Sequence, residues 1–203
     1  MTMSKLKTMS FMVFTLASGA ATASMSASCN VEFTDHQLAT MSRAWNTGVG
    51  DNLGYTLAAI SWKESRAGED VVRYRGSLKS ANLGAFQNRV QSAGDREGCK
   101  TKKCYADVAY RLITDQKFAS EHALKEMNFW MNTHNNNIRS ALASYNSGYS
   151  HNSRSRSYAQ SVIVKTKYLK KCVSFNGRPV ANKPDPSVLA SNQRTLSKLK
   201  RIR

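Results

Sequence analysis

The chain has 203 residues, of which 41% are hydrophobic, with a formal net charge of +17. This suits one domain with a sizeable core and excludes an intrinsically disordered protein. No apolar run approaches the roughly 20 residues of a transmembrane helix, and the charge attracts polyanions: nucleic acid, anionic lipid or acidic wall polymers.

The N-terminus reads as an export signal. Lys5 and Lys7 form a short positive region, Phe11 to Ala17 is apolar, and Ala21-Thr22-Ala23 supplies the small residues a signal peptidase needs. Cleavage is expected after Ala23, with Ser18-Gly19-Ala20 as a second site. A buried N-terminal helix or a weak signal-anchor are the alternatives. Ser26-Ala27-Ser28 before Cys29 lacks the large aliphatic residue of a lipoprotein anchor. Loss of Lys5 and Lys7 leaves a net charge of +15, and export weighs against nucleic acid as partner.

Helical patterns follow in chain order. Thr34 and Gln37 make a capping box, and Leu38, Met41 and Trp45 form one stripe ending near Gly48. A second helix runs from about Tyr55 to Ser65, with Leu57, Ile60 and Glu64 on one face and Gly68 as a C-terminal stop. Residues 69–103 read as irregular, with helical turns near Phe86–Val90; a loop of that length is usually functional. Further helices are expected over Tyr105–Ile113, Gln116–Met131, Ile138 to Gly148, and Ser155–Cys172. Strand alternation is absent, so the fold class is mainly α. Val173–Arg203 holds all three prolines and a net +6, and reads as a basic flexible tail, with a short helix from Val188 as an option. Such a tail would serve binding to anionic wall polymers or a membrane surface.

Four cysteines, Cys29, Cys99, Cys104 and Cys172, lie beyond the signal, which suggests disulfides. Three pairings are possible. Cys99–Cys104 and Cys29–Cys172 are favoured: the first pins a basic loop, the second ties the ends of the domain. In the chain-entropy model the long closure contributes roughly 5 kcal/mol and the short one about 2. No CxxC pair and no HExxH supports a zinc site, and His36, His122, His134 and His151 show no ligand spacing.

Glu64 is the carboxylate with the most distinctive setting. It falls on an apolar helical stripe, where desolvation raises its pKa, and in a last turn, where the helix dipole acts the same way. Both effects retain a proton near neutral pH, as a general acid needs. Periodicity alone favours the plainer alternative, a partly exposed Glu64 paired with Lys63 or Arg66.

Trp62-Lys63-Glu64-Ser65-Arg66 is followed by Gly84-Ala85-Phe86-Gln87, by Ser144-Tyr145-Asn146-Ser147-Gly148, and by Tyr158-Ala159-Gln160-Ser161-Val162. In order and spacing, about 20 and 60 residues apart, these resemble the soluble lytic transglycosylase family of the lysozyme superfamily over about Asp35 to Leu169. The resemblance implies a lysozyme-like transglycosylase domain that cleaves peptidoglycan glycan strands between N-acetylmuramic acid and N-acetylglucosamine, with no cofactor and no metal. Glu64 would be its catalytic acid and base, yielding a 1,6-anhydromuramyl end. Ser65, Gln87, Tyr145, Asn146 and Tyr158 would be substrate-binding residues. Ala85-Phe86 departs from the family's usual pair, and Ser144 replaces a more usual Ala. Glu69 or Asp70 would make the enzyme a hydrolysing muramidase if either reached the far face of the sugar. A rival of another class is a non-catalytic basic envelope protein. Phe129-Trp130 reads as core, and Arg73-Tyr74-Arg75 as either a groove wall or a solvated loop.

Overall fold

The computed structural model describes residues 28–73 and 77–203. The signal-like segment therefore lies outside the described residues, as do Tyr74 and Arg75. Among the described residues no helix is long and apolar enough to cross a membrane.

The protein is mainly helical. Chain order gives α1 (Asp35–Gly48), α2 (Gly54–Ser65), three two-residue strands β1 (Val72–Arg73), β2 (Asn82–Leu83) and β3 (Asn88–Arg89), then α3 (Val90–Arg96), α4 (Lys102–Thr114), α5 (Gln116–Thr133), α6 (Ile138–Ser147), α7 (Ser153–Cys172), α8 (Pro186–Ser191) and α9 (Gln193–Ile202). Side-chain caps define several starts. Thr34 and Gln37 exchange hydrogen bonds in the expected capping box, while Asp115, Asn137 and Asn152 cap α5, α6 and α7.

Helix α2 sits centrally between α1 and α7, with α5 reaching both α1 and α6. Its Leu57, Ala58, Ala59 and Ile60 are fully buried, so α2 is apolar on more than one side and its C-terminal turn is held on a packed base. The segment 69–103, expected to be irregular, contains the small antiparallel sheet β1-β2-β3 and α3. Two-residue strands are too short to show alternation, which is why periodicity does not detect them.

The C-terminal segment corrects the expectation of a flexible tail. Phe175 is 1% exposed and packs against Trp45 and Tyr55. Backbone hydrogen bonds join Ala181 to Ala39 and Gln116 to Asn182. Asp185 and Pro186 start α8, and α9 lays Leu196 and Leu199 on α4. Arg203 pairs with Asp107 and covers the Tyr110 ring. The stretch is polar and basic on average, but apolar residues such as Leu196 and Leu199 recur at helical spacing, and burying them outweighs that average.

The cysteines form Cys29–Cys172 and Cys99–Cys104, each with Cα atoms 5.4 Å apart. The first fastens the N-terminal approach to the end of α7; the second closes the turn before α4.

Candidate active site

The site is built at the C-terminal end of α2. Glu64 is 9% exposed. Burial pushes its carboxyl above the ordinary carboxylate range, and Tyr158, Arg73 and Lys63 offset this only in part. Arg73 donates to the Glu64 backbone carbonyl at 3.0 Å, while its guanidinium lies 3.8 Å from the carboxylate. The Tyr158 hydroxyl is buried and faces Glu64, close enough to favour its charged form but without the geometry of a completed hydrogen bond. The Tyr158 hydroxyl is held neutral, its pKa raised first by burial and then by the Glu64 charge.

Glu64, Asn146 and Tyr158 share an open cavity of about 350 Å³, whose wall also includes Lys63, Arg73, Arg154 and Ser157. Among the described residues Glu64 is the sole carboxylate of that lining. Glu69 and Asp70 instead pair with Arg66, at 3.3 and 2.9 Å. Neither Glu69 nor Asp70 is among the described residues that line the cavity.

Ser65 and Gln87 lie inside the wall and not in the cavity. Ser65 is 1% exposed. Its hydroxyl donates to the Ala85 carbonyl at 2.6 Å and accepts from the Gly68 N–H at 2.8 Å. It thereby locks the end of α2 to the turn 84–87. Gln87 has a φ of +50°, and its amide nitrogen donates to the carbonyls of Asp70 at 2.9 Å and Gly84 at 3.1 Å. Its amide oxygen is buried with no partner in the described structure. Gly84 has φ +80°, and a Cβ there would sit 2.2 Å from the Leu112 carbonyl oxygen. Only glycine fits this close approach.

Tyr145 reaches the same turn from α6, its hydroxyl donating to the Phe86 carbonyl at 3.1 Å. Burial and the Glu64 charge raise its pKa well above the usual phenol range, although part of the side chain meets solvent. Tyr145 braces the cleft floor, and Asn146, next in sequence, is exposed within it. The chain makes three successive left-handed residues after α2, Arg66, Ala67 and Gly68. Two of them are not glycine, which is strain concentrated beside the acidic group.

The sequence reading misses Lys63, Arg154 and Ser157 as cleft residues. Arg154 and Ser157 precede Tyr158 by four and one positions on α7, and the helical repeat that places Tyr158 was the available signal. Arg73 resolves to a groove wall. Trp130 is core at 5% exposed, whereas Phe129 is 50% exposed. Among the described residues no group of three or more metal-ligating side chains gathers.

No protein-family model matches the chain, and no solved structure matches it. Over 118 residues it is 32% identical to the uncharacterized 20.7 kDa protein in the vs-regB intergenic region of Enterobacteria phage T4, a match that covers 58% of this chain. The chain thus spans 63% of the length of that relative.

Proposed function

We propose that this protein is an exported peptidoglycan-cleaving enzyme, a lytic transglycosylase that breaks the β-1,4 bond between N-acetylmuramic acid and N-acetylglucosamine. The observation that carries the reading is Glu64: a desolvated carboxyl in a cavity where, among the described residues, no second carboxylate lies. One group must then serve both proton transfers. Protonated Glu64 gives its proton to the glycosidic oxygen as the C1–O4 bond breaks. The resulting carboxylate takes the proton of the muramyl C6 hydroxyl as its oxygen bonds to C1. The acetamido group of the substrate supports the cation at C1 in between. No water is consumed, and Glu64 ends protonated.

Tyr158 and Arg73 favour the carboxylate formed midway, and burial favours the acid at the start. A group that acts first as acid and then as base needs both influences. Ser65, Gln87, Gly84 and Tyr145 hold the turn 84–87 against the end of α2, which fixes the cleft wall. The two disulfides suit an oxidising compartment outside the cytoplasm.

Mass spectrometry of digested peptidoglycan tests the proposal. Transglycosylase action leaves 1,6-anhydromuramyl ends, lighter by one water than the reducing ends of a hydrolase. Anhydro products that vanish with Glu64→Gln are expected. Reducing ends would transfer the protein to the muramidases, and no soluble product would leave a non-catalytic envelope protein.

A further inference from the structure

A second recess adjoins the Glu64 cavity. It has a volume of about 640 Å³ and lies between α6 and α7, lined by Arg139, Arg156, Ser157, Val164 and Lys165 among others. Ser157 belongs to the wall of both hollows, so they meet one residue from Tyr158.

The recess is cationic without internal compensation. Arg139 donates to the neutral Gln160 amide oxygen at 2.7 Å, and Arg156 to the His151 carbonyl at 3.3 Å. Among the described residues neither arginine, nor Arg154, Lys63 or Lys165, has a carboxylate within ion-pair distance. Lys165 lies over the Trp62 ring, 3.5 Å from its centroid. Burial and the nearby charge of Lys63 both disfavour its protonated form. Unneutralised cations lining a concavity favour an anion. Two guanidinium forks, each spending a bond on a neutral oxygen, suit planar carboxylates. Val164, 54% exposed, adds an apolar spot on the same wall.

We propose that this recess binds the carboxylates of the peptide stem carried by the glycan strand under cleavage. The inference rests on the reading of Glu64 as the acid for the muramyl bond. The peptide of a muramyl residue hangs from its C3 substituent, close to the C1 that reacts. A strand held at Glu64 therefore delivers a short acidic peptide to whatever adjoins the cavity. The hollow is shallow and widely open; its junction with the Glu64 cavity at Ser157, and not its shape, favours the peptide of a bound strand over a membrane surface or a nucleic-acid duplex.

The test uses the full chain with disulfides formed and two readouts. In the first, a free stem tetrapeptide and its carboxamide counterpart are titrated by NMR or calorimetry. The acidic peptide is expected to bind, with a Kd raised about tenfold by Arg139→Gln/Arg156→Gln or by amidation, the sum of two or three exposed charge contacts. In the second, peptide-bearing strands and amidase-stripped strands are compared as substrates. The kcat/KM ratio should favour peptide-bearing strands and fall about tenfold in the same double variant. No difference between acidic and amidated peptide, or an unchanged ratio, overturns the proposal. Binding of phosphatidylglycerol vesicles or single-stranded DNA that the variant abolishes, with no peptide binding, also overturns it in favour of those partners. Anhydro products without peptide binding sink this inference alone. Peptide binding without anhydro products supports the recess and sinks the transglycosylase.

Discussion

Two buried ionisable side chains, Glu64 at the end of α2 and His122 on α5, show how one physical effect gives different outcomes. Both are perturbed first by desolvation. Glu64 is driven toward its neutral acid, and His122 toward its neutral base, with a pKa lowered from 6.5 to about 4. His122 is 1% exposed, packed on the Phe118 ring, and neither ring nitrogen has a hydrogen bond, although Glu97 approaches to 3.2 Å. Glu64 opens instead onto a cavity lined by Asn146, Arg73 and Tyr158. Burial shifts the titration of both groups; of the two, Glu64 opens onto a cavity. A shifted pKa becomes chemistry where a cleft meets it and remains a stability term where packing closes over it.

Replacing each group in turn breaks or sharpens this contrast. Glu64→Gln should have the largest effect, a loss of lytic rate of roughly 10²–10⁴-fold or more, with the fold retained. It should also raise stability, because the amide carries no cost of ionising in a buried site. The sign follows from linkage. A carboxyl whose folded pKa lies above 4.5 stabilises fully below 4.5 and loses that contribution as pH rises through the folded value. The variant's advantage should thus be larger at pH 7 than at pH 4, as denaturant midpoints will reveal. Equal advantage at both would mean Glu64 is not desolvated.

Gly84→Ala probes the wall that gives Glu64 its cavity. The added Cβ would clash with the Leu112 carbonyl at 2.2 Å, and a left-handed alanine adds strain. A loss of about 3 kcal/mol or more is expected in urea unfolding. A mild effect would show that the turn 84–87 yields easily.

His122 should register in stability and not in rate. Its unfolded form takes up a proton as pH falls below 6.5, and the folded form resists until about 4. Its contribution is whole above 6.5 and is lost progressively toward 4. His122→Gln should flatten the stability curve across that window while turnover at neutral pH stays near wild type. A large loss of turnover with the fold intact would erase the contrast. The smallest effects are expected from Glu69→Gln and Asp70→Asn, the half-buried and the exposed partner of Arg66, worth about 1 kcal/mol or less each. Either variant as inactive as Glu64→Gln would favour the two-carboxylate hydrolase.

Much of the helical layout was legible because its signals are local. The Thr34–Gln37 capping box, the stripe of Leu57 and Ile60, and the stop at Gly148 act within a few residues and appear where expected. Glu64 was legible for the same reason: its helical face and its place in the last turn follow from sequence distance alone. Ser65 and Gln87 were legible as residues of the site region but not in their roles. Whether a hydroxyl faces a cavity or a carbonyl twenty residues away depends on how α2 meets the turn 84–87.

The sequence by itself determined the mainly α class, the main helices, the even set of cysteines and the one carboxylate on an apolar stripe. Each depends on residue type and a period of a few positions. Only the tertiary structure decided that Cys29 lies beside Cys172, that Val173–Arg203 packs through Phe175, Leu196 and Leu199, and that Lys63, Arg73 and Arg154 share a wall with Glu64. Those facts are juxtapositions between elements far apart in the chain. They arise from burying one helix face against another, and no local pattern encodes which faces meet.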